Sequence, residues 1–257
     1  MLITLKRLYW RALEATPLLL KGLRVDPPLR RLSRFLQMRC RRTLNLDGIR
    51  VRLSPKMGRA AVAYMLQGRY EGPERRILEC ALKPGDRVLE LGTGIGYLSA
   101  ICARKLGNGN VLSFEANPML QPLVEQTYAL DGVSPRVEFC LLGDSNGRAL
   151  FNVSAEFWAS STMRRKGRIR QITVPMKAFN DVITSYKPTF LIIDIEGGEA
   201  DLIRFARLDN VEKVCIELHP SVIGADQERR VRHFFLEHGF REDVAASHDE
   251  HVLYRRD

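Results

Sequence analysis

The chain has 257 residues, 45% of them apolar and 27% charged, with a formal net charge of +10. That much apolar material supports a substantial core and argues against intrinsic disorder, while no apolar run approaches the roughly 20 residues that a spanning helix needs. Cys40, Cys80, Cys102, Cys140 and Cys215 are widely spaced with no C-x-x-C pair, which argues against a disulfide or metal framework and predicts reduced, packed thiols.

The positive charge is local. Residues 1–46 carry eleven Lys or Arg against Glu14 and Asp26, a net of +9, which leaves +1 for residues 47–257. Leu2, Leu5, Tyr9 and Leu13 fall on one helical face with Arg7, Arg11 and Glu14 opposite, Pro17 and Pro27-Pro28 interrupt, and a second basic run extends from Arg30 to Arg42. We read 1–46 as a basic, partly helical N-terminal extension. Its apolar face calls for a partner: the main domain, another subunit or an anionic membrane surface, with nucleic acid the weaker choice because nothing in the segment supplies base readout. Leu18 to Leu20 is closed by Lys21, too short a run for a secretory signal, so a cytoplasmic protein is expected, with peripheral contact at the inner membrane surface as one role for the arm.

From residue 47 to residue 257 the pattern predicts one α/β domain. Asp47 to Leu53 alternates apolar and basic residues as an edge strand does; residues 57–83 read as helical with a break near Gly72-Pro73; Lys83-Pro84-Gly85-Asp86 is a turn. Strands are predicted at 87–91, 110–115, 136–142, 189–194, 212–218, 240–245 and 251–255, with helices between most of them, so the sheet is seven-stranded, mostly parallel and covered by helices on both faces. Residues 148–153 and 168–174 read as additional strands flanking a loop, Ser154 to Gly167, inserted at the ligand edge.

The most informative stretch is Val88-Leu-Glu-Leu-Gly-Thr-Gly-Ile-Gly-Tyr97: a buried strand, a turn with Gly92, Gly94 and Gly96, then a helix start. Glycines there allow positive φ and close approach of a ligand, and the helix N-terminus presents free N–H groups. The dinucleotide pattern wants glycine where Tyr97 stands, which weakens a nicotinamide reading. Glu90 instead makes the pattern E-x-G-x-G-x-G, suited to S-adenosylmethionine, whose ammonium calls for a carboxylate. Glu115, at the end of the next strand and about 20 residues on, is placed to accept ribose hydroxyls from either nucleotide. Asp144 follows the third strand, where it serves either as an acceptor for an adenine amino group or as an ordinary turn residue.

A second constellation is Phe190-Leu-Ile-Ile-Asp194-Ile-Glu196-Gly-Gly-Glu199, an apolar strand that delivers three acids around a Gly-Gly turn. Asp194 is expected to face the ligand crevice, and Glu199 reads first as a helix-capping acid.

Four segments resemble the FkbM-type S-adenosylmethionine-dependent methyltransferases: Gly85 to Tyr97, Phe114-Glu-Ala-Asn-Pro118, Ile193-Asp-Ile-Glu-Gly-Gly-Glu199 and Ile216-Glu-Leu-His-Pro220. The resemblance covers roughly residues 48–220. It departs at Glu90, Thr93 and Gly94, where the family more often has Asp and Ala-Asn, and that leaves the subfamily open. It implies a Rossmann-like class I methyltransferase fold and methyl transfer from S-adenosyl-L-methionine to an oxygen, on a sugar, glycan or natural-product small molecule.

On that reading Glu90, Gly92, Gly94, Gly96, Glu115 and Asp144 bind cofactor, and Asp194, His219 and Glu196 are the catalytic candidates. His219 suits proton removal at neutral pH, with Glu217 two residues earlier to orient it or bind acceptor hydroxyls. Asp194 with Glu196 has the oxygen chemistry for magnesium, but two acids one residue apart assign no metal. Trp158 and Ser160 to Thr162 line the acceptor pocket or form a lid. The alternatives are a nicotinamide-dependent oxidoreductase and a nucleic-acid-associated protein that binds through its basic arm. Oligomeric state is not legible.

Overall fold

The computed structural model describes residues 43–154 and 169–256. The amphipathic and basic segments between residues 1 and 42, and Trp158 with Ser160 to Thr162, lie outside the described residues. Among the described residues no helix is long and apolar enough to cross a membrane.

Thr43–Leu46 (β1) and Ile49–Arg52 (β2) form an antiparallel hairpin, closed by Asp47 and Gly48, both with positive φ (50° and 93°). Such two-residue turns match the twist of the strands they join. The edge strand expected at 47–53 is thus half of a separate hairpin, which starts four residues inside the segment counted with the N-terminal extension. It docks through Ile49 and Val51 onto the helices below, and the Arg50 N–H donates to both carboxylate oxygens of Asp131 at 3.1 and 3.0 Å.

Arg59–Leu66 (α1) and Gly72–Ala81 (α2) follow, with Gly72-Pro73 opening the second helix, where a proline needs no N–H. The chain then enters Val88–Leu91 (β3), Tyr97–Leu106 (α3), Val111–Phe114 (β4), Gln121–Asp131 (α4) and Arg136–Glu138 (β5). Phe179–Tyr186 (α5), Phe190–Ile193 (β9), Glu199–Leu202 (α6), Lys213–Glu217 (β10), Pro220–Ile223 (α7), Ala225–Glu237 (α8), Phe240–Glu242 (β11) and His251–Arg256 (β12) complete the main layer. Among the described residues the sheet has seven strands in the order β11-β12-β10-β9-β3-β4-β5, parallel except for the two pairings of β12. This is the expected seven-stranded, mostly parallel sheet.

Side chains alternate across it. Val88, Phe190, Ile192, Cys215 and Leu253 pack with α1, α2, α3 and the hairpin, while Leu89, Leu91, Leu191, Ile193, Val214 and Ile216 pack beneath α5 and α8. Chain order runs outward from β3 to β5 on one side, then resumes at β9 on the other side of β3. Such a reversal opens a crevice at the carboxyl ends of the two central strands.

The strand expected at 136–142 is two strands. After β5 the chain leaves the main sheet, and Leu141–Gly143 (β6) pairs in parallel with Ile169–Ala178 (β8), which pairs antiparallel with Gly147–Ser154 (β7). The expected insertion is therefore present as a small three-stranded sheet of its own, in the order β6-β8-β7.

Candidate active site

The crevice between β3 and β9 is a cavity of about 250 Å³. Its floor is backbone: a Cβ on Gly92, which has φ +88°, would lie 1.8 Å from the Asp194 carbonyl oxygen, so the glycine turn after β3 and the end of β9 touch directly. Gly92, Gly94, Glu115, Asp144, Asp194 and Glu196 all line the cavity, beside an apolar wall that includes Phe114, Leu141, Leu142 and Phe151.

Glu115 is the organising acid. Its Oε2 accepts the Gly94 N–H at 2.9 Å and its Oε1 accepts the Asn117 N–H at 2.7 Å, which ties the end of β4 to the glycine turn. Burial raises its pKa, the backbone N–H groups of Asn117 and Gly94 lower it, and the result is about 7. Each carboxylate oxygen keeps a further lone pair for a hydroxyl donor. The glycine turn, this acid and the apolar slot fit an adenosine-bearing cofactor such as S-adenosylmethionine. Asp144 sits exposed at the rim, accepting from the Ser145 hydroxyl at 2.9 Å.

Two expected cofactor residues stand elsewhere. Glu90 is 1% exposed and is absent from the cavity lining, while Leu91, which alternation turns to the other face, lines it. The Glu90 carboxyl faces the α3 side; burial raises its pKa, the hydroxyls of Ser113, Thr93 and Ser99 pull it back, and its Oε2 has no hydrogen-bond partner. Gly96 caps α3 in the left-handed conformation, and a Cβ there would come within 2.8 Å of the Tyr128 ring. Helix packing, rather than a ligand, asks for that glycine.

The acceptor side is acidic. Glu199, fully buried, accepts the Gly197 N–H at 3.0 Å and holds His219 Nδ1 at 2.8 Å. The capping reading of Glu199 missed this role; the signal available was the histidine of Ile216-Glu-Leu-His-Pro220. His219 Nε2 faces Asp194 Oδ1 at 3.7 Å, Glu196 Oε2 at 3.4 Å and Glu217 Oε1 at 3.6 Å. Glu196 reaches this ring from a left-handed backbone, φ 54°, an uncommon conformation for a residue with a side chain.

Burial lowers the pKa of His219, but the Glu199 hydrogen bond and the charges of Asp194, Glu196 and Glu199 outweigh it and lift the imidazole to about 9. Left to itself His219 therefore carries its proton at neutral pH, and it does not line the cavity. The expectation of a free histidine base is corrected on both counts. Burial, then Glu196, push the Asp194 carboxyl well above its usual range, against the pull of His219. Glu217 is pushed to about 11 by burial and by Asp194, Glu74, Glu71 and Glu196.

Sequence reading also missed Tyr70 and Glu71, which line the cavity from the turn before α2, and the pair of Glu74 and His251, 2.7 Å apart. No motif marks them. They reach the site only because α2 and β12 flank β10.

A family model described as the methyltransferase FkbM domain matches residues 90–242. A ribosomal protein L11 methyltransferase from Thermus thermophilus is 51% identical over 55 residues, 21% of this chain and 21% of that protein. The chain spans 21% and 22% of the lengths of the two curated relatives it matches. Among solved structures, a methyltransferase from Pyrococcus furiosus is 14% identical, with a TM-score of 0.46 over 88% of this chain and 97% of that one. The Pyrococcus abyssi tRNA (uracil-54, C5)-methyltransferase in complex with S-adenosyl-L-homocysteine is also 14% identical, with a TM-score of 0.44 over 83% of this chain and 42% of that one.

Proposed function

The chain belongs to the FkbM family of S-adenosylmethionine-dependent methyltransferases, and from that footing we propose that it methylates a hydroxyl oxygen on a neutral, polyhydroxylated small molecule or glycan. Family membership sets aside the nicotinamide reading. The observation that carries the proposal is the composition of the cavity. Glu71, Glu115, Asp144, Asp194, Glu196 and Asp201 line it, and among the described lining residues there is no lysine, arginine or histidine. The carboxyl groups that line it offer acceptors to hydroxyl donors, which is the match expected of a polyhydroxylated acceptor.

S-adenosylmethionine, when bound, supplies an electrophilic methyl group on a sulfonium. Glu115 would hold the ribose hydroxyls, the glycine turn would let the nucleoside lie against backbone, and Asp144 would meet the adenine amino group. Asp194, across the floor from Gly92, receives the acceptor hydroxyl. Asp194 and Glu196, the two acids of the cluster about His219 that reach the cavity, would take up the hydroxyl proton released on methyl transfer. His219 touches neither reactant; it is a positioning residue, held by Glu199 behind the two acids. In-line methyl transfer would require the crevice to align acceptor, methyl carbon and sulfur.

The test is incubation with isotopically labelled S-adenosylmethionine and a panel of neutral sugars and glycans, matched to phosphorylated and carboxylated counterparts, with products read by mass spectrometry. An O-methyl ether on a neutral acceptor is expected. Methyl transfer only to nitrogen or carbon, or only to the anionic acceptors, would overturn the proposal.

A further inference from the structure

Three side chains on the acceptor side form a set that hydrogen bonding does not explain. Asp194, Glu217 and His219 each offer one ligand atom, and these atoms lie within 4.8 Å of one another. His219 Nε2 stands 3.7 Å from Asp194 Oδ1 and 3.6 Å from Glu217 Oε1. Both distances exceed the roughly 2.7–3.2 Å of an ordinary hydrogen bond. They match the roughly 3–4 Å that separates neighbouring ligands of one divalent ion bound at about 2.0–2.2 Å.

Three further features point to a ligand in the gap. Asp194 Oδ1 is inaccessible to solvent and has no hydrogen-bond partner. His219 is only 9% exposed, and its other ring nitrogen is fixed at 2.8 Å by the fully buried Glu199. A carboxylate on the far nitrogen is how proteins orient a metal-binding imidazole, because it sets the tautomer and aims the other nitrogen's lone pair at the ion. Glu217 Oε1 also lies 3.5 Å from His251 Nε2, too long for an ordinary hydrogen bond, and that nitrogen is 2.7 Å from Glu74, itself 3% exposed. Among the described residues no lysine or arginine forms an ion pair with Asp194, Glu217 or Glu74; the cationic partners of these acids are His219 and His251.

We propose that Asp194, Glu217 and His219 bind a divalent first-row metal ion at the carboxyl ends of β9 and β10, with Glu199 orienting the imidazole ligand. Mixed imidazole and carboxylate ligation suits manganese, iron or zinc better than magnesium. The ion's remaining coordination positions would be open to an acceptor oxygen, which it would polarise beside the cavity. The site stands on side-chain geometry and does not depend on the identity of the methyl acceptor.

The test uses the full chain stripped with EDTA and titrated with Mn²⁺, with the free aqua ion followed by electron paramagnetic resonance. The free signal is expected to be suppressed until a single equivalent has been added. Glu217→Gln and His219→Asn should each weaken binding at least about tenfold, while calorimetric binding of S-adenosylhomocysteine by the same variants shows that they fold; Asp194→Asn serves in place of either that does not. A full free-ion signal at substoichiometric Mn²⁺, or unchanged affinity in folded variants, would overturn the site. Binding of Mn²⁺ by a wild-type chain that ignores S-adenosylhomocysteine would instead count against the methyltransferase reading and leave the metal site standing.

Discussion

Glu115 carries more of the site than any other residue, because it joins two loops and presents its carboxylate to the cavity at once. Glu115→Gln removes the charge and one of two acceptor atoms, and should weaken cofactor binding about tenfold to a hundredfold in calorimetry, as expected when a hydrogen bond to a charged group is lost. A pH effect follows from its pKa of about 7. On the proposed role the carboxylate would accept the ribose hydroxyls above that value; as pH falls through it, protonation removes an acceptor and affinity should decline, and affinity that stayed flat between pH 8 and about 6 would contradict the assignment. Gly92→Ala is a separate case. A left-handed backbone combined with a Cβ 1.8 Å from the Asp194 carbonyl should cost at least about 3 kcal/mol in chemical denaturation. Glu115, Gly92 and Asp194 were legible in the sequence because each sits at a fixed offset from a strand end. Glu90 was legible as an acid but not by facing, since only the alternation of β3 in three dimensions turns it away from the cavity.

At the scale of elements, the sheet is anchored at its opposite edge by a buried ion pair. Lys213 at the start of β10 donates to both oxygens of Asp86 at 2.7 and 2.6 Å and to the Ala81 carbonyl at 3.0 Å, and Asp86 also accepts from Lys83 N–H and the Thr189 hydroxyl. One residue of each charge thus fixes the end of α2, the turn before β3 and the starts of β9 and β10. Lys213→Met leaves Asp86 buried without its counter-charge and should destabilise the protein by about 3–5 kcal/mol, measured by denaturant unfolding; a loss below about 1 kcal/mol would show that the pair is dispensable. The strands were legible because fully buried parallel strands read as short apolar runs. The split of residues 136–142 was not, because Phe139 and Cys140 continue the apolar run through the point where the chain changes sheets. Nor was Glu199 legible as the partner of His219, since a first-turn acid has a sufficient local explanation in the helix dipole.

On the scale of the whole molecule, topology explains why residues more than 170 positions apart, such as Glu74 and His251, meet beside one site. The chain reverses its direction of sheet growth beside β3, so loops from Tyr70 to His251 converge on the carboxyl ends of β3, β9 and β10. Motif reading found the residues on the central strands and missed those carried in from α2 and β12, which only packing brings near. The proposed cofactor and acceptor regions thereby fall on two sides of one crevice, Glu115 on one and the acids about His219 on the other. The most direct measurement of this arrangement is calorimetric titration of the full chain with S-adenosylhomocysteine, run beside Glu115→Gln. One saturable site in the wild type, weakened in the variant, is the predicted result; no binding, or equal affinity in both proteins, would contradict it.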